Sequence, residues 1–237
     1  MKSVSLYAVI ALCLSSSLQG QQIIQTQTFG PSIPRFDTLM TFNSYAGDLS
    51  DIESIQISWT MEIQDGYLVI DNDAVESANG NYEFGASIGV NDAVTDVTLL
   101  DATFNAIFTS TEVVNSGTFS LSGNVGDGPN DFSADGPDGT GVTGSTVNGS
   151  GGGNVNSIFY GQYVSGNGGS ADATFDIGIS TEQYLIVNSN GGTEYAITPV
   201  NAIGEITLTY NLVPVPEPTS MLMLLAGGCF TLLRRAR

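Results

Sequence analysis

Histidine is absent from this chain, and cysteine nearly so: Cys13 and Cys229 are its only thiols, each inside an apolar stretch near one end. Without imidazole, the usual zinc sites, Cys-His dyads and Ser-His-Asp triads cannot be assembled. Cations are scarce too, with five basic residues against 24 acidic ones. Lys2 stands at the start, Arg234, Arg235 and Arg237 at the end, and Arg35 alone between them. A body with one cation cannot neutralise a row of phosphates, which excludes nucleic acid as a partner. It has equally little attraction for an anionic lipid surface. Cations and neutral glycans remain as partners, and a net charge of −19 in itself keeps a surface protein soluble and monomeric.

Paired carboxylates would suffice for glycoside hydrolysis. Of the 24 acidic residues all except Glu217 lie in the body, so some close pair is inevitable and signals nothing. The chain is read as non-enzymatic.

The two ends are the most continuously apolar parts. Lys2 followed by the run Val4 to Leu14 and the small residues Ser15 to Ser17 reads as a secretory signal over residues 1–20. Cleavage after Gly20 or after Ser17 fits that pattern, and Leu12 before Cys13 argues against a lipid anchor. Loss of both ends leaves a body without disulfides, which suits a bacterial export product.

At the other end, residues 213–237 open on Val213-Pro-Val-Pro-Glu-Pro218, continue through the apolar Ser220 to Leu233 and close on Arg234-Arg-Ala-Arg237. Prolines at alternate positions join neither a helix nor a central strand, so the opening is an exposed, extended hinge. The apolar stretch predicts one hydrophobic helix, rising roughly 21 Å against about 30 Å of hydrocarbon, with arginines able to snorkel at its end. Those arginines hold that end in the cytoplasm by the positive-inside bias.

This arrangement resembles the PEP-CTERM sorting signal of Gram-negative bacteria. The resemblance implies Pro216, Glu217 and Pro218 as the sorting motif and Arg234, Arg235 and Arg237 as the cytoplasmic stop. It also implies an exosortase-type enzyme as partner, tethering to the inner membrane, and delivery to the cell surface or the exopolysaccharide matrix.

Residues 21–212 read as one all-β domain, an antiparallel β-sandwich. Ile55, Ile57, Trp59, Met61 and Ile63 alternate with polar neighbours, as do Tyr82, Phe84, Ala86, Ile88 and Val90. The same period appears at Phe104, Ala106 and Phe108, from Ala173 to Ile179, and at Ile206, Leu208 and Tyr210. Turn residues fall between the runs at Asp65-Gly66, Ala78 to Asn81 and Ser189 to Gly192. Residues 123–153, dominated by Gly, Asp, Asn, Ser and Thr, predict a long exposed loop or disordered insertion. Phe36 to Asn43, Gly47 to Ser50, the strand Ile52 to Ile63 and the closing Gly204 to Tyr210 resemble choice-of-anchor domains of type E. That resemblance implies surface display and no chemistry.

Within the Gly-rich stretch, Asp127, Asp131, Asp135 and Asp138 are candidate calcium ligands, being closely spaced carboxylates on a flexible, carbonyl-rich backbone. Asp71-Asn-Asp73 is a further acidic cluster. Neither Asp-rich loop has the 12-residue helix–loop–helix spacing, and solvated turns account for both as well. Tyr160, Tyr163 and Tyr184 are candidates for a glycan platform or for cross-strand packing. The expectation is an exported structural or adhesive protein, with a carbohydrate-binding module of the extracellular matrix, or a secreted glycan-active enzyme, as the alternatives.

Overall fold

A computed structural model describes residues 20–124, 126 and 132–214. The signal segment, the sorting motif, the C-terminal apolar stretch and its arginines lie outside these residues. Among the described residues no helix is long and apolar enough to cross a membrane.

The described residues form eleven strands in chain order: β1 (Gln22–Ser32), β2 (Arg35–Asn43), β3 (Ile52–Gln64), β4 (Tyr67–Asn72), β5 (Ala78–Val90), β6 (Thr111–Leu121), β7 (Gly139–Thr143), β8 (Val147–Asn154), β9 (Thr174–Ser189), β10 (Thr193–Thr198) and β11 (Asn201–Leu212). Short 3-10 turns cover Leu49–Asp51, Asp92–Val94 and Ser157–Tyr163. One sheet has the order β2-β9-β5-β6, a second β1-β11-β3-β8, and a third β10-β4-β7. All their strand pairs are antiparallel.

The third sheet prolongs the second. β4 follows β3 after two residues, β7 runs into β8 after three, and β10 runs into β11 after two, so three neighbouring strands break at one level. The cause lies in the residues at the break. Asp65 and Gly66 take φ values of 60° and 86°, and Pro199 has no N–H for the ladder. The interruption is bridged by the Gly144 amide on the Gly66 carbonyl at 2.9 Å and by Asn201 Nδ2 on Asp65 Oδ2 at 2.9 Å. Val200 and Phe84 are buried against the break from inside.

The core between the layers is filled by the alternating residues. Ile55, Ile57, Met61 and Ile63 of β3, Phe84, Ala86 and Ile88 of β5 and Ile206, Leu208 and Tyr210 of β11 are all fully buried. Trp59 packs on Phe108 with ring centroids 5.3 Å apart, and Tyr163 meets Phe175 edge-on at 5.1 Å. The sandwich-like all-β expectation thus holds.

Three local expectations are corrected. Residues 123–153 do not form one long loop, because β7 and β8 both lie there. Glycine makes β8 a strand that fits where a side chain would not: a Cβ at Gly151 would lie 2.6 Å from Trp59 Nε1, and one at Gly149 would collide with Val113. Ala78 to Asn81 belong to β5 and not to a turn, with Gly80 lying so close to the Asn188 carbonyl that no Cβ fits. Phe104, Ala106 and Phe108 fall in a loop, where a lone Leu100–Ala106 bridge is the sole ladder contact among the described residues.

The body's two ends leave together. The Leu212 amide donates to the Gln21 carbonyl at 2.9 Å, and the Val213 amide to the Asp51 carbonyl at 2.7 Å.

Candidate functional site

Two places in the fold gather chemistry. The first lies on the prolonged part of the kinked sheet. β10 pairs with β4 so that Glu194 stands directly across from Asp71, and Asp73 follows one residue beyond the end of β4. Asp71 is buried, Asp73 and Glu194 partly so, and one carboxylate oxygen of each lies within 4.8 Å of the others. Oxygens bound to one calcium ion at about 2.3–2.6 Å are separated by at most about 5 Å, so this spacing matches a shared hard cation. Like charges set directly opposite across a strand pair otherwise repel.

Asn72 locks the backbone here. Its Nδ2 donates to the carbonyls of Glu76 (2.8 Å) and Ser122 (2.6 Å), and its Oδ1 accepts from the Ala74 amide at 3.2 Å. Its own amide meets the Asp138 carbonyl at 2.9 Å, which ties the Asp-rich loop to the cluster. Glu194 Oε1 accepts from the Phe132 amide at 3.3 Å.

Of the calcium ligands expected from sequence, Asp127 and Asp131 lie outside the described residues. Asp135 is exposed and Asp138 buried, and among the described residues the acidic group that comes together is Asp71, Asp73 and Glu194. Sequence spacing finds the first two of these. Glu194 joins them only through the β4–β10 register, more than a hundred residues further on.

The second place is at the opposite end of the sandwich, where the body's ends also emerge. The Ile88–Thr111 pair is the last of the β5–β6 ladder, and residues 91–110 form the loop that joins the two strands. The end of β5 and this loop enclose a cleft of about 500 Å³ lined by Gly89, Val90, Asp92, Thr98, Phe108 and Ser110 among others. Gln162 Oε1 accepts from the Thr98 amide at 2.7 Å, and the Tyr163 hydroxyl donates to the Thr98 carbonyl at 2.8 Å, so the cleft wall is fixed from behind.

The stem of that loop, Leu100 and Ala106, also lines the cleft, and its tip is built around Asp101. The Asp101 carboxylate accepts from Thr103 Oγ1 (2.7 Å), the Asn105 amide (2.9 Å) and the Thr103 amide (2.8 Å). These bonds, that of the Thr103 hydroxyl foremost, hold its carboxyl below the usual carboxylate range. Asn156 anchors the tip to the Ser157–Tyr163 turn, donating to the carbonyls of Leu100 (2.7 Å) and Asp101 (3.2 Å). Phe104 is thereby held at φ 62°, with 60% of its surface exposed. A bulky side chain is rarely found at such φ. Its ring stands edge-on to Phe159 at 6.4 Å and 89°, and Ile158, the residue before Phe159, is 66% exposed. Of the tyrosines considered for a glycan platform or for packing, Tyr163 is core, Tyr160 is half-buried in the same turn and Tyr184 sits on β9.

No family model and no curated protein matches this chain. Among solved structures, the chain aligns with infectious bursal disease virus, Gx strain, at 10% identity and a TM-score of 0.15, over 85% of this chain and 44% of that one. It also aligns with the VP2 subviral particle of the same virus at 17% identity and a TM-score of 0.11, over 83% and 42%. The chain spans less than half the length of these structures, and likenesses at such scores carry no argument.

Proposed function

We propose that this is an exported protein of the cell surface or exopolysaccharide matrix, structural or adhesive in role and not an enzyme, sorted through its C-terminal tail. The order Pro216-Glu217-Pro218, apolar stretch, Arg234, Arg235 and Arg237 carries the reading. The tail resembles a PEP-CTERM signal, and the choice-of-anchor likeness of the body fits display at the surface. An exosortase-type enzyme at the inner membrane is the proposed processing partner. The fold supports this arrangement in one respect. β11 ends at Leu212, and among the described residues Val213 is the last tied to the body by an amide; the proline-rich run of the sequence follows it. Mass spectrometry of protein shed by the native host tests the proposal. A mature chain lacking Arg237, with its new end at or near residues 216–218, is expected; a shed chain that retains the arginines overturns it.

A second reading concerns a metal. Calcium is the proposed ligand of Asp71, Asp73 and Glu194, on the strength of three carboxylates within 4.8 Å on opposed strands. It would act as a structural clamp on the outer part of the kinked sheet.

A further inference from the structure

We infer that the end of the sandwich carrying Phe104 and Ile158 rests on a net-neutral lipid surface while the tail holds the chain. The inference rests on the reading of the tail as a membrane anchor, and adds to it a contact made by the folded body.

Position is the first ground. The Val155 amide donates to the Ile55 carbonyl at 2.8 Å, so the Ser157–Tyr163 turn starts beside the beginning of β3. There too the Val213 amide meets the carbonyl of Asp51, the residue before that strand. Asn156 ties the tip of the 91–110 loop to the same place through Leu100 and Asp101. Phe104, Ile158 and the exit of the chain therefore share one end of the fold. Six residues separate Val213 from Ser220, where the apolar stretch opens, a span of at most about 25 Å at full extension. A folded body of this length is about 40 Å across. The tether is shorter than the body is wide, so with the apolar stretch in a bilayer this end is kept beside the lipid.

The side chains are the second ground. Phe104 is the most exposed aromatic residue among the described ones, and Ile158 is two-thirds exposed. Neither is on a loose segment. Three hydrogen bonds to Asp101 fix the loop tip with Phe104 at φ 62°, and its ring meets Phe159, the neighbour of Ile158. A bulky residue kept in that conformation with most of its surface in water points to a use outside the fold. Rigid apolar tips of this kind enter the headgroup boundary with little ordering cost.

Charge selects the lipid. Arg35 is the one cation among the described residues, and it opens β2 at the far end of the fold. The other end of β2 is the one held near the chain exit, where the Tyr210 hydroxyl donates to the Asn43 carbonyl at 3.3 Å. The exit end thus carries Asp51, Asp92 and Asp101 with no cation among the described residues, which repels anionic headgroups and leaves net-neutral ones. Two apolar tips offer less than a single lipid chain, whose own membrane binding is marginal and reversible. The contact therefore depends on the proximity that the tail supplies, and the body leaves once the tail is cut.

Tryptophan fluorescence tests this in the chain purified with its tail from a host that exports it and has no exosortase. The chain is reconstituted into phosphatidylcholine vesicles with and without bromine on the acyl chains. Trp59 is its one tryptophan and is buried, so it gives a constant background. Emission added by Phe104→Trp, and likewise by Ile158→Trp, should fall by half or more on brominated lipid. Emission added by Val75→Trp, on the β4–β5 loop at the far end, should not fall. All three positions are exposed, so each accepts the larger ring. If Phe104→Trp or Ile158→Trp stays unquenched, or Val75→Trp is quenched as strongly, the inference is overturned, while flotation of the chain with the vesicles leaves the tail reading intact. A chain that does not float with the vesicles overturns both.

Discussion

The side-chain amide of Gln25 stands in for a missing strand against Asn43: its Nε2 donates to the Asn43 carbonyl at 2.8 Å, and its Oε1 accepts the Asn43 amide at 2.8 Å. Gln27 repeats half of the device on the Thr41 carbonyl at 2.9 Å. β1 and β2 are the edges of their two sheets, so these bonds seal one open side of the sandwich. Asn115 of β6 does the same on the other side. It accepts the Ser145 amide at 2.9 Å and donates to the Ser145 carbonyl at 3.2 Å, beside the edge strands β7 and β8. Unpaired edges are templates for association, and here amide side chains occupy them.

Replacing Gln25 and Gln27 together by Ala should therefore cost stability and solubility at once. Three exposed hydrogen bonds are lost, at about 1 kcal/mol each or less. The larger effect is a bare β2 edge. Light scattering at rising concentration should show association that the parent lacks, and a strictly monomeric double variant would refute the sealing role.

Gly66→Ala probes the break in the sheet. A Cβ there would lie 2.7 Å from Val200 Cγ1, on a residue at φ 86°. Backbone strain of this kind costs roughly 1–3 kcal/mol, and the buried Val200 has little room to give. A urea midpoint equal to the parent's would show that the break does not depend on Gly66.

The buried tyrosines set an alkaline limit. Tyr210 donates to the Tyr163 carbonyl at 3.0 Å, and burial pushes both hydroxyls well above their ordinary value of 10.0; the neighbouring Tyr210 adds to the shift at Tyr163. The folded state keeps these protons at pH values where the unfolded chain releases them. Stability from both groups is thus full below about pH 10 and falls as pH rises beyond it, by up to about 1.4 kcal/mol per pH unit per group. Tyr210→Phe should lose about 1 kcal/mol at pH 8 and show a shallower decline between pH 10 and 11. Identical slopes for parent and variant would refute this account.

Much of this fold is legible in the sequence, for a definite physical reason. β3, β5, β9 and β11 bury one face each, so the period of two is written into Ile55–Ile63, Phe84–Ile88, Phe175–Ile179 and Ile206–Tyr210, whereas Ala173 lies just before β9 and is exposed. β8 is not legible, because its fit depends on absent side chains: glycines pressed onto Trp59 and Val113 leave no hydrophobic pattern. The apparent strand at Phe104–Phe108 misleads for the opposite reason. Ile107 and Phe108 are buried there by a loop folding back, and Phe104 points to solvent. Of the acidic cluster, Asp71 and Asp73 show themselves by proximity in sequence, whereas Glu194 needs the pairing of β10 with β4.

That pairing yields the last prediction, which turns on charge. Asp71 and Glu194 face each other across two strands with Asp73 alongside, one carboxylate oxygen of each within 4.8 Å of the others. A bound cation turns their mutual repulsion into shared attraction, so millimolar calcium should raise the Tm relative to EDTA. Glu194→Gln removes one of the opposed charges. In EDTA it should be as stable as the parent or more so, because a repulsive pair is gone. In calcium it should fall below the parent, because a ligand is gone. The crossing of these two orders separates a metal clamp from a solvated acidic patch, for which calcium would leave both Tm values unmoved.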